Sequence, residues 1–542
     1  MRYTFLLALV IMASNVWSQS AVRLSSQPER TAEVTSRIEQ TPTLKVSLPS
    51  ASKAEVTFVD NSKTEFFPPI FDQQGNSCSQ ASGIRYIFSY HMNALRGTSA
   101  ANTANVYSYH YTWNMLNNGT DMGSWYFDGY DLAKDNGVPS LDDFPDESFA
   151  TNERTWMTGY DSYFRAMHNR IESYYKIQAD AADGLSKIKR VLLDQGTGAA
   201  TGGLLNFSGK TSNWQVVDYY GSSSTGYKKI VKLFGDGGDH AMTIAGFDDT
   251  VEFDINGDGV IQSDEKGALI MVNSWGSAWG DNGRAYMPYK LLTLGYWSGG
   301  IGNGDKYVYG IKVTDHKPLA TAKVTIKYTS RNDLWFILGV ASDASAQTQQ
   351  KAKTLKVFRK QGGDFFMCGG NDESDKTIEL GLDYSDLLVA MPNAKKFFLT
   401  VKQSPEGDLG VGQVLAWSVM DYRNAEQPVE HKASAASVEI TGTLSMSVEA
   451  VESGVSSNTL GKVGLYPNPA NCSQLLELAI PNVTGTGVVS IYSLQGAYIH
   501  SVNADFAADR ASLYLPSAIS AGLYVVKVNV NNMVYSGKLV IK

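Results

Sequence analysis

The sequence predicts an α+β domain followed by two all-β, sandwich-like domains, and three observations carry that reading. Helical and strand signals are mixed from about residue 65 to 314. Beyond that, runs such as AKVTIKY, LWFILGV, KKFFLTVKQ and GQVLAWSVM stand between turn residues, as the strands of a sandwich do. A small-residue stretch, SVEAVESGVSSNTLGK, interrupts the pattern around residues 447–462, after which short strands resume. A chain of 542 residues is also too long for one hydrophobic core, so several domains are required.

In chain order, residues 1–19 carry a cation at Arg2, an apolar run from Phe5 to Met12 and small or polar residues from Ser14 onward. That pattern predicts a secretory signal peptide. The apolar run is shorter than the roughly 20 residues needed to cross a bilayer, and no later stretch is longer, so no transmembrane span is expected. Residues 20–64 are polar and poorly periodic, as a pro-segment or linker would be, and no fold is assigned to them. The α+β domain is placed at 65–314, a β-sandwich of unknown role at 318–446, a linker at 447–462 and a third folded unit at 463–542.

Hydrophobic residues make up 43% and charged residues 18%, with 50 Gly and 29 Tyr, which suits a globular chain rich in strands and turns. A formal net charge of -8 without any dense Lys/Arg run excludes a nucleic-acid footprint. There are only three cysteines, Cys78, Cys368 and Cys472. An exported protein usually spends its cysteines on disulfides, so a Cys368–Cys472 bridge is open, whereas the Gly/Ser/Gln-rich surroundings of Cys78 point to a reactive thiol.

In PPIFDQQGNSCSQASGIRYIFSYHMNALRG, the residues Ala81, Ile84, Ile87, Phe88 and Leu95 recur at helical spacing, and Arg96-Gly97 forms a stop. Cys78 then stands at a helix N-terminus, where unpaired N–H groups and the positive end of the dipole favour thiolate over thiol. A nearby upstream Gln can supply an amide N–H that, with the Cys78 N–H, forms an oxyanion hole. Gln73 and Gln74 both qualify. A nucleophilic thiol also needs an imidazole. Among seven histidines, His240 heads an alternating small/apolar run in GGDHAMTIAGFDD, while the others lack a comparable setting. Downstream, ALIMVNSWGSAWGDNGRAYMP places Asn273 after a strand-like run and Trp275 just beyond it.

These three phrases, in this order, resemble the papain family of cysteine peptidases. That family carries Gln-Gly-x-Cys-Gly-Ser-Cys-Trp, then Asp/Asn-His-Ala-x-x-x-x-Gly-Tyr, then Lys-Asn-Ser-Trp-Gly-x-x-Trp-Gly-x-x-Gly-Tyr. The chain departs from it in having Ser79 where a Trp follows, in lacking the preceding cysteine, and in placing its glutamines closer to Cys78. The resemblance covers about Phe66 to Thr314 and implies two lobes, one helical with Cys78 and one β with His240 and Asn273, with the cleft between. It also implies, from the family's common Asp-Gln order, that Gln73 rather than Gln74 supplies the amide, that Asn273 accepts a hydrogen bond from the imidazole and that Trp275 covers that bond. The fold class becomes an α+β papain-like two-lobed domain followed by two β-sandwiches.

Between His240 and Asn273, DINGDGVIQSDE fits the calcium-loop spacing D-x-[DN]-x-[DN]-G with a terminal Glu. Asp254, Asn256 and Asp258 would offer side-chain oxygens, Val260 its carbonyl, Gln262 a water-mediated contact and Glu265 a bidentate carboxylate, with Gly259 at the turn. A structural Ca2+ is expected there, and no cofactor is required for the chemistry.

From Gly464 the chain reads GLYPNPANCSQLLELAIP, VVSIYSLQGAYI and AGLYVVKVNVNNMVYSGKLVIK, which resembles the C-terminal sorting domain of type IX secretion cargo in Bacteroidetes. That implies export through the periplasm, recognition by the type IX machinery, and release or retention at the outer-membrane surface. The resulting expectation is a secreted or cell-surface cysteine endopeptidase acting on protein or peptide substrates through Cys78, His240, Asn273 and Gln73. The alternative from another class is a non-catalytic papain-like binding or adhesin protein; transglutaminase-like acyl transfer is disfavoured because it usually pairs His with Asp.

Overall fold

A helical rod starts at Cys78 and runs to Arg96, α-helical over Cys78–Gln80 and Ser89–Arg96 and π-helical over Ala81–Phe88. In this computed structural model the described residues are 27–46, 56–146, 153–359, 361–404, 410–423, 428–433, 437–450, 461–493, 498–531 and 533–542; the expected signal peptide lies outside them, as does most of the expected 447–462 linker. The apolar residues counted from the sequence explain the rod: Ala81, Ile84, Ile87 and Phe88 are fully buried. Gly97, at φ +64, adopts the left-handed conformation that ends it, its N–H bonded to the Asn93 carbonyl. Leu95, counted on the same apolar face, is instead 52% exposed. It sits in the last turn, where the rod reaches the surface beside exposed Gly97.

Helix Tyr160–Met167 packs on helix Tyr126–Asn136 and on the strands Asn169–Gln178 and Thr377–Asp383, and helices Tyr109–Leu116 and Tyr126–Asn136 pack on the rod. Facing it is a nine-stranded sheet in the order Asn169–Gln178, Tyr307–Asp315, Leu205–Ser212, Gly237–Glu252, Lys266–Val272, Arg284–Pro288, Lys229–Leu233 and Gln215–Asp218, with Phe58–Asp60 pairing on Gly237–Glu252. The far side of this sheet has its own core, built from Phe207, Met242, Ile244, Leu269, Met271 and the helix Gly184–Asp194.

The next strands form two sheets. One runs Thr377–Asp383, Ala320–Tyr328, Gly412–Asp421, Val429–Lys432, with Val438–Glu439 on Gly412–Asp421; the other runs Lys351–Arg359, Leu334–Ala341, Lys396–Gln403, Thr443–Glu449. Alternation drives the layering, since Val324, Ile326 and Tyr328 are buried while Thr325 and Lys327 between them are less so. These sheets do not stand apart from the helices. Trp156 and Tyr163 meet Phe358 at ring distances of 5.8 and 6.1 Å, Asn136 donates to the Gly381 carbonyl, and Arg170 pairs with buried Asp383 at 2.9 Å. The described residues up to Ala450 therefore pack as one unit.

A second unit follows. Its five-stranded sheet is ordered Gly461–Lys462, Met533–Ile541, Gly522–Val530, Gly485–Ser493, Tyr498–Phe506, and its three-stranded sheet Gly464–Tyr466, Leu475–Ala479, Arg510–Tyr514. Leu476, Leu478, Val489, Ile491, Val526, Val528 and Leu539 fill the space between them. Cys368 lies in the first unit, its thiol donating to the Thr377 carbonyl at 3.1 Å, and Cys472 is an exposed residue of the second.

One element was not expected from the sequence. Ala32–Gln40 is helical, started by Thr31, whose hydroxyl accepts the Val34 N–H. Its nine residues are too few to hold a helix alone, and tertiary contacts supply the rest: Arg37 forks between Asp128 and Asp131. The Thr31 cap followed by Glu33 in the first turn was the available sequence signal.

Candidate active site

The rod presents Cys78 in its first turn, fully buried, in the same apolar cluster as Ala241, Ala245 and Val272 of the facing strands. Ser77 turns the chain into the helix, its hydroxyl donating to the Gln74 carbonyl at 2.6 Å. Further along, Ser82 meets Thr243 at 2.7 Å and accepts from the Asn206 amide at 2.5 Å, while the Tyr130 hydroxyl bonds the Asn206 side-chain oxygen. Tyr86 donates to the Asn273 carbonyl at 3.3 Å. These buried polar contacts lock the helix against the strands that carry His240 and Asn273.

His240 lies near the start of Gly237–Glu252, paired across the sheet with Gly209. Its Nε2 is 2.8 Å from Asn273 Oδ1, which also accepts the Ser274 N–H at 2.8 Å. Asn273 itself is placed at the end of Lys266–Val272, its N–H donating to the Gly283 carbonyl at 2.9 Å. Trp275 stacks over the imidazole, ring centres 4.6 Å apart and 27° between planes. Trp214 backs Trp275 edge-on at 5.7 Å and stacks on Trp279 at 5.5 Å. Burial pushes the imidazolium of His240 down to about 4, opposed by the hydrogen bond to Asn273.

Gln73 is buried beside this cluster. Its N–H donates to the Ser274 carbonyl at 2.8 Å, its Oε1 accepts the Ser274 hydroxyl at 2.5 Å and its Nε2 donates to the Gly75 carbonyl at 2.9 Å. Gln74 is half-buried and turns away, its amide donating to the Asp72 carbonyl at 3.3 Å. The structure thus gathers Cys78, Gln73, His240, Asn273 and Trp275 at one helix–sheet junction. Ser274, Trp214 and the Ser82–Thr243–Asn206 contacts were not singled out from the sequence. Ser274 lies inside the NSWG phrase and Ser82 one turn beyond Cys78, so both had a signal; Trp214, in SNWQVV, had none.

Residues from Gln27 run beside the junction. The Gln27 N–H donates to the Asp239 carbonyl at 3.1 Å, next to His240, and its side chain reaches Ser79, next to Cys78, at 3.3 Å. Arg30 pairs with Asp305 at 2.7 Å, and Lys176 donates to the Ile38 carbonyl at 2.6 Å. This segment therefore lies against both halves of the candidate site.

The 254–265 loop joins the His240 strand to the strand preceding Asn273. Asp254 accepts the N–H groups of Gly257, Asp258 and Gly259 at 2.6, 3.3 and 2.7 Å. Asp258 takes the Val260 N–H and the amides of Asn256 and Gln262, while buried Glu265 takes the N–H groups of Ile255, Asn256 and Gln262. Gly259, at φ +83, makes the turn. The side-chain donors are oxygens, the kind a hard cation takes. Among the described residues no group of three or more His, Cys, Asp or Glu side chains is gathered to hold a metal ion.

Comparison with known proteins gives one family match: residues 464–542 fit the model described as "Secretion system C-terminal sorting domain". The C-terminal unit is a secretion sorting domain. The protein is accordingly exported, to be released or held at the cell surface, and among the described residues no helix is long and apolar enough to cross a membrane. No curated protein matches the chain in sequence. Among solved structures, Xylellain, a cysteine protease from Xylella fastidiosa, aligns at 16% identity over 51% of this chain and 92% of its own, with a TM-score of 0.34. Procathepsin L2 proteinase from Tenebrio molitor aligns at 14% identity over 51% and 75%, TM-score 0.33. Bromelain protease from Ananas comosus, in complex with the E64 inhibitor, aligns at 14% identity over 48% and 99%, TM-score 0.32.

Proposed function

We propose that the larger unit is a papain-like cysteine peptidase that the type IX secretion machinery exports by its C-terminal domain. The observation that carries this is the His240–Asn273 hydrogen bond under Trp275, set against a helix that begins at Cys78. A thiol at a helix N-terminus is stabilised as thiolate, and in this reading His240 is its proton partner. Burial alone leaves His240 neutral at pH 7, so the thiolate supplies the counter-charge that allows the ring to hold a proton. The thiolate attacks the scissile carbonyl, and the Cys78 N–H and Gln73 amide stabilise the oxyanion. His240 then gives its proton to the leaving amine, and water, deprotonated by His240, releases the acyl group. Gln73 fits this role better than Gln74, because Ser274 holds it in the buried junction.

The segment 27–46 acts as a pro-segment in this reading. It lies against Ser79 and Asp239, so a substrate gains the site once it leaves. Ca2+ is proposed for the 254–265 loop, held by Asp254, Asn256, Asp258, Val260, Gln262 and Glu265. The all-oxygen side-chain donor set supports it, and its role is to stiffen the connection between the His240 and Asn273 strands.

The test is alkylation of the full chain by iodoacetamide near pH 6, with the labelled residue located by mass spectrometry. Rapid labelling at Cys78 that collapses in His240→Ala supports the peptidase. Labelling at Cys78 indifferent to His240 would leave a binding protein instead.

A further inference from the structure

The Gln27 side chain is held on both ends of its amide. Its Oε1 accepts the Ser208 hydroxyl at 3.0 Å and the Asn303 amide at 3.2 Å, and its Nε2 donates to Ser79 Oγ at 3.3 Å. Gln27, Ser79 and Ser208 are all buried. The positions of these groups come from three separate parts of the fold. Ser79 follows Cys78 on the rod, Ser208 lies on the strand paired with the His240 strand, and Asn303 sits in the loop whose Gly302 N–H donates to the Ser208 carbonyl at 2.7 Å. The Gln27 backbone N–H donates to the Asp239 carbonyl at 3.1 Å, which ties the segment beside His240.

We propose that Ser79, Ser208 and Asn303 form a substrate subsite selective for a carboxamide side chain, glutamine above all, and that Gln27 occupies it as an internal mimic of the substrate. The proposal deepens the peptidase reading and rests on it for the word substrate. The pocket's chemistry argues the selectivity. A leucine would leave Ser79, Ser208 and Asn303 without the bonds that an amide makes to them, and buried polar groups left unpaired are the strongest source of discrimination between similar ligands. A glutamate would carry a charge into a buried pocket where its three side-chain contacts are neutral. Asparagine has the right group on a shorter stem and reaches fewer of the partners.

Two measurements on the full chain test this. In the first, Gln27 is replaced by Leu, Glu or Asn, and the alkylation rate of Cys78 reports how often the segment leaves. Leu and Glu are expected to raise the rate on the order of tenfold or more and Asn to raise it less, because each lost hydrogen bond loosens the segment. Ser208→Ala should raise it in the parent chain and add little in Gln27→Leu, the signature of a shared contact. In the second, the Gln27→Leu chain digests a denatured protein mixture and the cleavage sites are read by mass spectrometry. Glutamine is expected at one fixed position from the scissile bond, favoured over Leu and Glu by roughly a hundredfold, and the preference should flatten in Ser208→Ala.

Cleavage with no residue preference, or one unaltered by Ser208→Ala, overturns the subsite while the peptidase stands. Absence of any cleavage, with Gln27 and Ser208 still coupled in the first measurement, keeps the carboxamide pocket and overturns the peptidase. Equal alkylation rates for the parent, Gln27→Leu and Gln27→Glu chains overturn the pocket outright.

Discussion

Lowering the pH from 7 to 4.5 is expected to cost the larger unit stability at each histidine buried as a neutral ring, and His91 isolates the effect. It is fully buried in the rod, and its Nε2 accepts the Leu204 N–H at 3.2 Å, so protonation would both charge the interior and destroy the bond. Burial pushes its pKa from 6.5 down to about 4. Because the folded value is depressed, the unfolded chain takes up the proton first as pH falls; the stability is full above the unfolded value and is lost progressively toward the folded one. At pH 4.5 the unfolded ring is about 99% protonated and the folded ring about a quarter, which amounts to a loss of about 2 kcal/mol relative to pH 7. His91→Gln offers an amide oxygen to the Leu204 N–H without titrating. Urea unfolding followed by tryptophan fluorescence at both pH values should therefore show a pH penalty smaller by about 2 kcal/mol in the variant. An identical penalty in variant and parent would refute the assignment of that acid sensitivity to His91.

Trp275→Ala should let water reach the His240–Asn273 bond and slow Cys78 alkylation roughly tenfold, with the labelled site unchanged by mass spectrometry. Adding millimolar Ca2+ is expected to raise the melting temperature of the full chain relative to chelator, and Glu265→Gln should abolish the shift; the ratio of free ion to its dissociation constant sets the size, about 2.7 kcal/mol at a hundredfold excess. Arg170→Met leaves buried Asp383 with His316 as its remaining ionic partner at 2.7 Å, and breaking that ion pair should cost about 3–5 kcal/mol, read from the urea midpoint of the larger unit.

The elements that carry the candidate site residues were legible in the sequence because each part has a local signature. The apolar spacing after Cys78 and the Arg96-Gly97 stop define a helix and put the thiol at its start, and NSWG follows a strand-like run by chain neighbourhood alone. The strand-rich character of the two C-terminal sandwiches was legible for the same reason, since alternation has a period of two wherever one face is buried. The π stretch was not, because it depends on how the rod packs. The helix Ala32–Gln40 was missed because what holds it is Arg37 reaching residues about ninety positions away.

What the sequence by itself determined is therefore the set of candidate site residues and the type of element each one sits on. Only the tertiary structure decided that Gln73 and not Gln74 lies in the junction, that the middle sandwich shares a core with the helices, and that Gln27 reaches Ser79, Ser208 and Asn303. The physical reason is range: helix and strand signals act over a few residues, whereas a hydrogen bond such as Ser208 to Gln27 joins residues 181 positions apart and exists only after the whole unit has packed.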